Sequence, residues 1–379
     1  MDDFAFLPTF SSNPWTALRG GFKAAPYSRP ASLPVSPWVA ASLLQKAIRR
    51  ARLDLSLQAA ATLLQSDPRR LWRRLACIGA EDVGIGGLSA FALATACLEG
   101  SRRRSELAGG DDWAAACRLV SALSSAPKCR SADDLALVCA THPQLKDSRN
   151  ALGVLSRAEL IKIVVSDEPL VERAGALWRA LGGDWRSRSG RRFLRRDELE
   201  AVFNALNGAG LSPNFVECAR QSHRRLGEAL GPFLLLLSQE AAKTPASIQS
   251  DRLPEETMIG AIPSWAYDLF CREGRAALAR FERSDAASAV WLRKRVRSNR
   301  RLAFLGHIVF RVEGGLVANR MCWPLGDWLR EEADRSCCGP ECPDGSEILD
   351  LVRADIPRLN QIRAESIADS NQAQAMENA

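Results

Sequence analysis

Apolar positions along this chain recur mostly at three- and four-residue spacing, the period of an amphipathic helix. From Trp38 onward Leu43, Leu44, Ala47, Ile48 and Ala51 form one stripe, while Lys46, Arg49, Arg50 and Arg52 fill the other side. A second helix is predicted over 56–65. The third has a marked start, with Asp67 as N-cap and Pro68 at the first helical position. Leu71, Leu75 and Ile78, with Trp72, Ala76 and Gly79, cover one arc of it, and Arg69, Arg70, Arg73 and Arg74 share the opposite arc. Glu81, Asp82, Val83 and Gly84 follow, where glycines end the helix. Residues 88–98 and 113–123 read as two further buried helices. Ala126-Pro127-Lys128 breaks the second, and Ser131 is the expected cap of the next.

The second half repeats the pattern, with helices predicted over 158–166, 170–181, 197–207, 224–242, 265–272, 275–282, 286–297 and 347–363. β-branched and aromatic residues flank Glu313-Gly314-Gly315, so 307–321 is expected to form a small β-hairpin. The fold class is therefore mainly α, with a helical bundle followed by a second, mostly helical domain. Residues 1–37 form a Pro/Ser-rich arm whose prolines break any helical period. Residues 38–142 form the first helical domain and 154–363 the second, separated by a polar stretch. Residues 364–379 read as a polar, frayed tail.

A length of 379 residues suits two domains, each large enough for its own core. The longest apolar run, Phe233 to Leu237, is far short of a membrane span, and MDDFAFLPTF lacks the basic opening of a signal peptide. No G-x-x-x-x-G-K-[ST], H-E-x-x-H, G-x-S-x-G or G-x-G-x-x-G occurs, and the histidines are His142, His223 and His307 alone. These absences leave no recognised enzyme class and no implied cofactor. Ten tryptophans, Trp265, Trp323 and Trp328 among them, are read as core residues.

The net charge is +7, carried by seven lysines and 44 arginines. Arginine binds phosphate bidentately and stacks on bases, so its clusters beside aromatic residues are candidate nucleic-acid surfaces. Two stand out. The segment from Gly183 carries Arg186, Arg188, Arg191, Arg192, Arg195 and Arg196 beside Trp185 and Phe193. The segment from Trp291 carries Arg293, Lys294, Arg295 and Arg297, then Arg300 and Arg301. A solvated loop and a helix C-terminus that favours cations are the plain alternatives. No base-reading motif is present, so no sequence specificity is expected.

Eleven cysteines without regular spacing suit reduced thiols in a reducing, cytoplasmic compartment. Cys337, Cys338 and Cys342 are the one cluster. They are weak metal candidates because their spacing is not the C-x-x-C of tetrahedral zinc.

Residues from about 42 to 134 resemble the C-terminal helical region of the RarA/MgsA/WRNIP1 family, AAA+ ATPases of the clamp-loader clade that act at stalled replication forks. The resemblance rests on three blocks. SLLQKAIRR opens a helix, and Asp67-Pro68 leads through Leu71, Arg73, Arg74, Leu75 and Ile78 to Glu81-Asp82-Val83-Gly84. Ala126-Pro127-Lys128 stands at the distance of the family's A-P-K-S-N. It implies a collar-like bundle that mediates homo-oligomerisation beside DNA-processing machinery. The family's ATPase module has no counterpart here, because some forty Pro-rich residues precede the match and no Walker A motif is present. On the residues alone, Glu81 and Asp82 are an acid pair that bonds backbone amides or neighbouring arginines.

The expectation is a non-catalytic accessory protein of DNA replication, recombination or repair. It would bind forked or single-stranded DNA, an AAA+ ATPase or a clamp through Arg69, Arg70, Arg73, Arg74, Lys128 and the two basic segments. A protein-interaction scaffold without nucleic-acid contact, and an unrecognised enzyme with a Cys-ligated metal, are the alternatives. No membrane partner is expected.

Overall fold

The computed structural model describes residues 26–183, 194–336 and 345–377. Helix α1 (Pro37–Arg49) begins where the Ser36 hydroxyl accepts from the Val39 amide and Pro37 presets the backbone. The chain reverses at Ala51 into α2 (Leu53–Ser66). Helix α3 (Pro68–Ile78) starts as predicted, with Asp67 Oδ1 accepting from the Arg70 amide at 3.0 Å. A wide π turn (Gly79–Val83) and a tight 3-10 turn (Gly84–Gly87) lead into α4 (Leu88–Leu98). There follow α5 (Ser101–Ala108), α6 (Asp112–Ser125), α7 (Ser131–Thr141) and α8 (Lys146–Leu152). Helix α9 (Arg157–Val164) opens on a reciprocal box between Ser156 and Glu159. After it come α10 (Leu170–Ala180), α11 (Arg196–Gly208), α12 (Pro213–Leu226) and α13 (Leu230–Ala241).

Three short strands come next, β1 (Ser247–Gln249), β2 (Met258–Ile259) and β3 (Ile262–Pro263). The chain then forms α14 (Arg272–Glu282), α15 (Ala287–Arg295) and α16 (Ser298–Val309), the last widening into a π turn (Phe310–Gly314). Strand β4 (Arg320–Cys322) precedes α17 (Pro324–Ser336) and α18 (Ser346–Glu377). Strands β2 and β3 pair antiparallel. So do β1 and β4, with Ile248 opposite Met321. The fold is mainly α.

The chain divides into two compact units. Unit 1 holds Trp72–Gln249, Asn319–Ser336 and the described residues before 29. Its core gathers Phe91, Leu135, Leu177, Phe203, Phe233 and Trp323 from α4, α7, α10, α11, α13 and the start of α17. Unit 2 holds Arg29–Leu71, Ser250–Ala318 and the described residues after 336. There Phe281, Leu292, Leu305, Ile308, Ile356 and Leu359 close a core of α14, α15, α16 and α18. In the same unit α1 and α2 bury Leu43, Leu44, Ile48 and Leu63. This grouping cuts across the sequence-based segments 38–142 and 154–363. The polar side chains of α1 find partners between 265 and 314, far along the chain, whereas 142–153 is built into unit 1 as a short turn and α8.

Several elements depart from the sequence pattern. Residues 307–321 are not a hairpin: Ile308, Val309 and Val312 are buried along α16 and its π turn, so packing overrides their β preference. The expected helix over 224–242 is two helices. Gly227, in the left-handed region at φ 72°, caps α12 by donating its amide to His223. The helix expected over 265–272 is absent: a short turn, Ser264–Ala266, ends before Tyr267, and α14 begins only at Arg272. Helix α18 runs on past 364 as far as Glu377, and Arg280 on α14 pairs with Glu365 and Asp369. Ser131 begins α7, but its hydroxyl accepts from Trp323 Nε1 instead of capping the backbone.

Of the arm, residues 26–36 are mostly exposed and are held at a few points. Within unit 1 the Tyr27 carbonyl accepts from Trp113 Nε1, and within unit 2 the Leu33 amide donates to Thr62. The helical run Pro68–Leu98 has the length and hydropathy of a membrane span, with 78% of that window buried inside the protein.

Candidate nucleic-acid interface

Within unit 1 the blocks around 82 and 128 interlock. Gly84 sits at φ 52°, and a Cβ there would lie 2.4 Å from the Cys129 carbonyl oxygen. Only glycine lets the two loops approach that closely. The Cys129 amide donates to the Val83 carbonyl, and the Arg130 guanidinium binds Asp82, Asp133 and, at 3.4 Å, Glu81. Asp82 and Arg130 are both buried, and Glu81 is half-buried beside them. Burial would lower the Arg130 pKa, but the surrounding carboxylates outweigh it and hold the charge on.

Lys128 does not face outward. It is fully buried, its ammonium donates to the Ser124 and Ala126 carbonyls, and burial pushes it down to about 8. A cation enclosed in this way cannot meet a phosphate. Lys128 is therefore removed from the candidate contact residues.

In unit 2 the polar stripe of α1 is enclosed as well: Lys46, Arg49 and Arg50 are buried. The Lys46 ammonium pairs with Asp268 at 2.5 Å, and the Ser42 hydroxyl donates to the same carboxylate oxygen. Arg49 donates to the Gly314 carbonyl and lies over the Phe310 ring. Arg50 donates to the Glu313 carbonyl and stacks on Trp265 at 4.6 Å. The Glu313 side chain binds Arg363. Burial raises the Glu313 pKa, but Arg363, Arg50 and Lys46 together hold it below the usual carboxylate range. These cations balance internal acids, carbonyl dipoles and rings.

Unit 2 presents the turn between α15 and α16 to solvent. Lys294, Arg295, Arg297 and Arg300 are all exposed there. Arg295 lies 5.0 Å over the Trp291 ring, whose other contact is a stack with Phe304, and it reaches Glu347 only at 3.5 Å. No side chain caps the start of α16, and no acid stands in its first turn. Arg293 and Arg301 turn inward instead, donating to the Glu282 and Val296 carbonyls. The sequence-based segment is therefore split, with one set of cations holding the turn and another exposed.

The remaining candidates are placed as follows. On α3, Arg69 is exposed, while Arg70 pairs with Asp67 at 2.9 Å and lies 3.9 Å over the Trp38 ring. Arg73 is exposed and donates to the Leu226 carbonyl, and Arg74 is half-buried. Arg195 and Arg196 are exposed at the start of α11, with Arg195 paired to Asp197. Arg186, Arg188, Arg191 and Arg192 lie outside the described residues, as do Cys337, Cys338 and Cys342. Among the described residues no group of three His, Cys, Asp or Glu gathers to hold a metal ion. Sequence reasoning missed Asp268 and Glu313 as partners of α1, since residues more than 200 positions away leave no local signal.

Family models, curated proteins and solved structures contain no match to this chain.

Proposed function

We propose that this chain is an accessory protein of DNA replication, recombination or repair that binds DNA through the basic α15–α16 turn without reading sequence. The observation that carries this reading is the turn itself. Lys294, Arg295, Arg297 and Arg300 are exposed around an uncapped helix start whose first turn holds no acid. Backbone amides and the helix dipole add to the side-chain charge at such a place, and the complement is a chain of phosphates.

The interlock in unit 1 adds support of another kind. Two of the blocks that resemble the RarA/MgsA/WRNIP1 family, around 82 and 128, are bound to each other by Asp82–Arg130 and by the close passage at Gly84. Residues so placed keep a helical scaffold rather than a catalytic site. An AAA+ ATPase or a clamp is the protein partner that this reading implies, and self-association is its assembly state.

The test is binding of forked and single-stranded DNA across a salt series. Affinity should fall steeply with salt. Replacing Lys294 and Arg297 together by Gln should reduce the slope of log K against log salt by about 1.4 for a single strand. No binding at micromolar protein in low salt overturns the reading.

A further inference from the structure

Two aromatic rings of unit 2 are left in solvent, whereas most rings among the described residues are packed. Trp38 is 53% exposed and Phe270 71% exposed. They flank one polar joint. Trp38 lies one turn ahead of Ser42 on α1, and the Asp268 carboxylate accepts from the Ser42 hydroxyl at 2.8 Å and from the Phe270 amide at 2.8 Å. The joint fixes the backbone under both rings. Trp38 is backed on one side by the Arg70 guanidinium at 3.9 Å, itself held by Asp67, so the indole is braced rather than loose.

Cations outnumber acids around the rings. Of the nearby acids, Asp67 and Asp268 are taken by Arg70 and Lys46, and Glu273 stands half-buried in the first turn of α14. Arg69, beside Arg70, and Arg272, two residues after Phe270, are exposed and make no ion pair among the described residues. The basic turn belongs to the same unit. Helix α16 runs from that turn to Gly306, where a Cβ would strike Leu269, the residue before Phe270. Nine residues of helix separate Arg297 from that contact, about 14 Å.

We infer that Trp38 and Phe270 are stacking platforms for the bases of single-stranded DNA, with Arg69 and Arg272 beside them to meet its phosphates. This rests on the nucleic-acid reading and adds the class of strand. A duplex hides its base faces, whereas an unpaired strand offers flat π surfaces and a phosphate at every step, the two features these residues complement. A protein partner would need to bring acid to Arg69 and Arg272 and would have no call for a braced indole face.

The experiment is fluorescence anisotropy of a labelled oligothymidylate and of a duplex of equal length, with the full chain. Trp38→Ala and Phe270→Ala should each weaken the single strand about 5- to 150-fold while duplex binding holds. Trp38→Phe, which keeps a stacking face, should recover most of the loss, separating lost stacking from damage to α1. Unchanged single-strand affinity in folded alanine variants overturns the inference and leaves the phosphate reading in place. Equal loss on both DNAs overturns it too. Failure of the wild-type chain to bind either DNA overturns the nucleic-acid reading itself.

Discussion

Arg363 closes on Glu313 through two parallel hydrogen bonds, Nη1 to Oε1 at 2.9 Å and Nη2 to Oε2 at 2.8 Å, with neither side chain more than 4% exposed. The pair joins α18 to the end of the π turn after α16, and the Glu313 carbonyl meanwhile accepts from Arg50. A fork-to-fork pair of this kind is geometrically specific, but its two charges have left water. Arg363→Met alone should cost about 3–5 kcal/mol, because it strands a buried carboxylate. Adding Glu313→Leu should recover much of that, read by urea denaturation of both variants. The carboxyl sits below its ordinary value in the folded chain. Its contribution is therefore present above the unfolded value of about 4.3 and is lost as the pH falls through the folded one. The double variant should unfold less steeply in acid than wild type.

Gly84→Ala tests the loop interlock of unit 1. The substitution places a Cβ at positive φ and 2.4 Å from a backbone oxygen that cannot swing aside. The expected loss exceeds about 1 kcal/mol. Gly109→Ala is the control, since its φ is also positive, at 62°, but nothing lies within 4 Å of the added carbon. Equal losses in the two melting curves would mean that backbone conformation, and not the Cys129 contact, sets the need for glycine at 84.

Two basic residues on helices of unit 2 should respond differently to charge reversal. Arg49→Glu puts a carboxylate against the Gly314 carbonyl in a buried site and should destabilise unit 2 by at least about 3 kcal/mol. Lys294→Glu, at the exposed turn, should change stability by no more than about 0.5 kcal/mol while weakening DNA binding. Circular dichroism melts alongside the binding series separate the two effects.

The thiols give a pH dependence of definite sign. Burial pushes Cys97, Cys139 and Cys218 up to about 12, above the unfolded value of about 8.5. Their share of stability is whole below pH 8.5 and is lost progressively as the pH rises toward 12. The melting temperature should fall between pH 8 and 10. At pH 8 a thiol reagent should leave at least the six buried cysteines unmodified until denaturant is added.

Much of the local architecture was legible in the residues. Asp67-Pro68 starts α3 because a carboxylate two bonds from the backbone reaches the third amide of a helix, whatever the rest of the chain does. The stripe of Leu43, Leu44, Ala47 and Ile48 marks a buried face for the same local reason, and helices over 88–98 and 170–180 follow from their spacing alone. Distant packing decided the rest. His307 to Met321 carries the composition of a hairpin, yet α18 supplies an apolar wall against which Ile308 and Val312 pack as helix. Arg50 and Lys294 carry the same charge and each stands at the C-terminal end of a helix. One is enclosed by Glu313 and Trp265, more than 200 residues away, and the other meets only water. A charged stripe has one pattern whether it is solvated or paired, so the sequence determined where helices form, and the tertiary structure alone chose which of their cations are left for a partner.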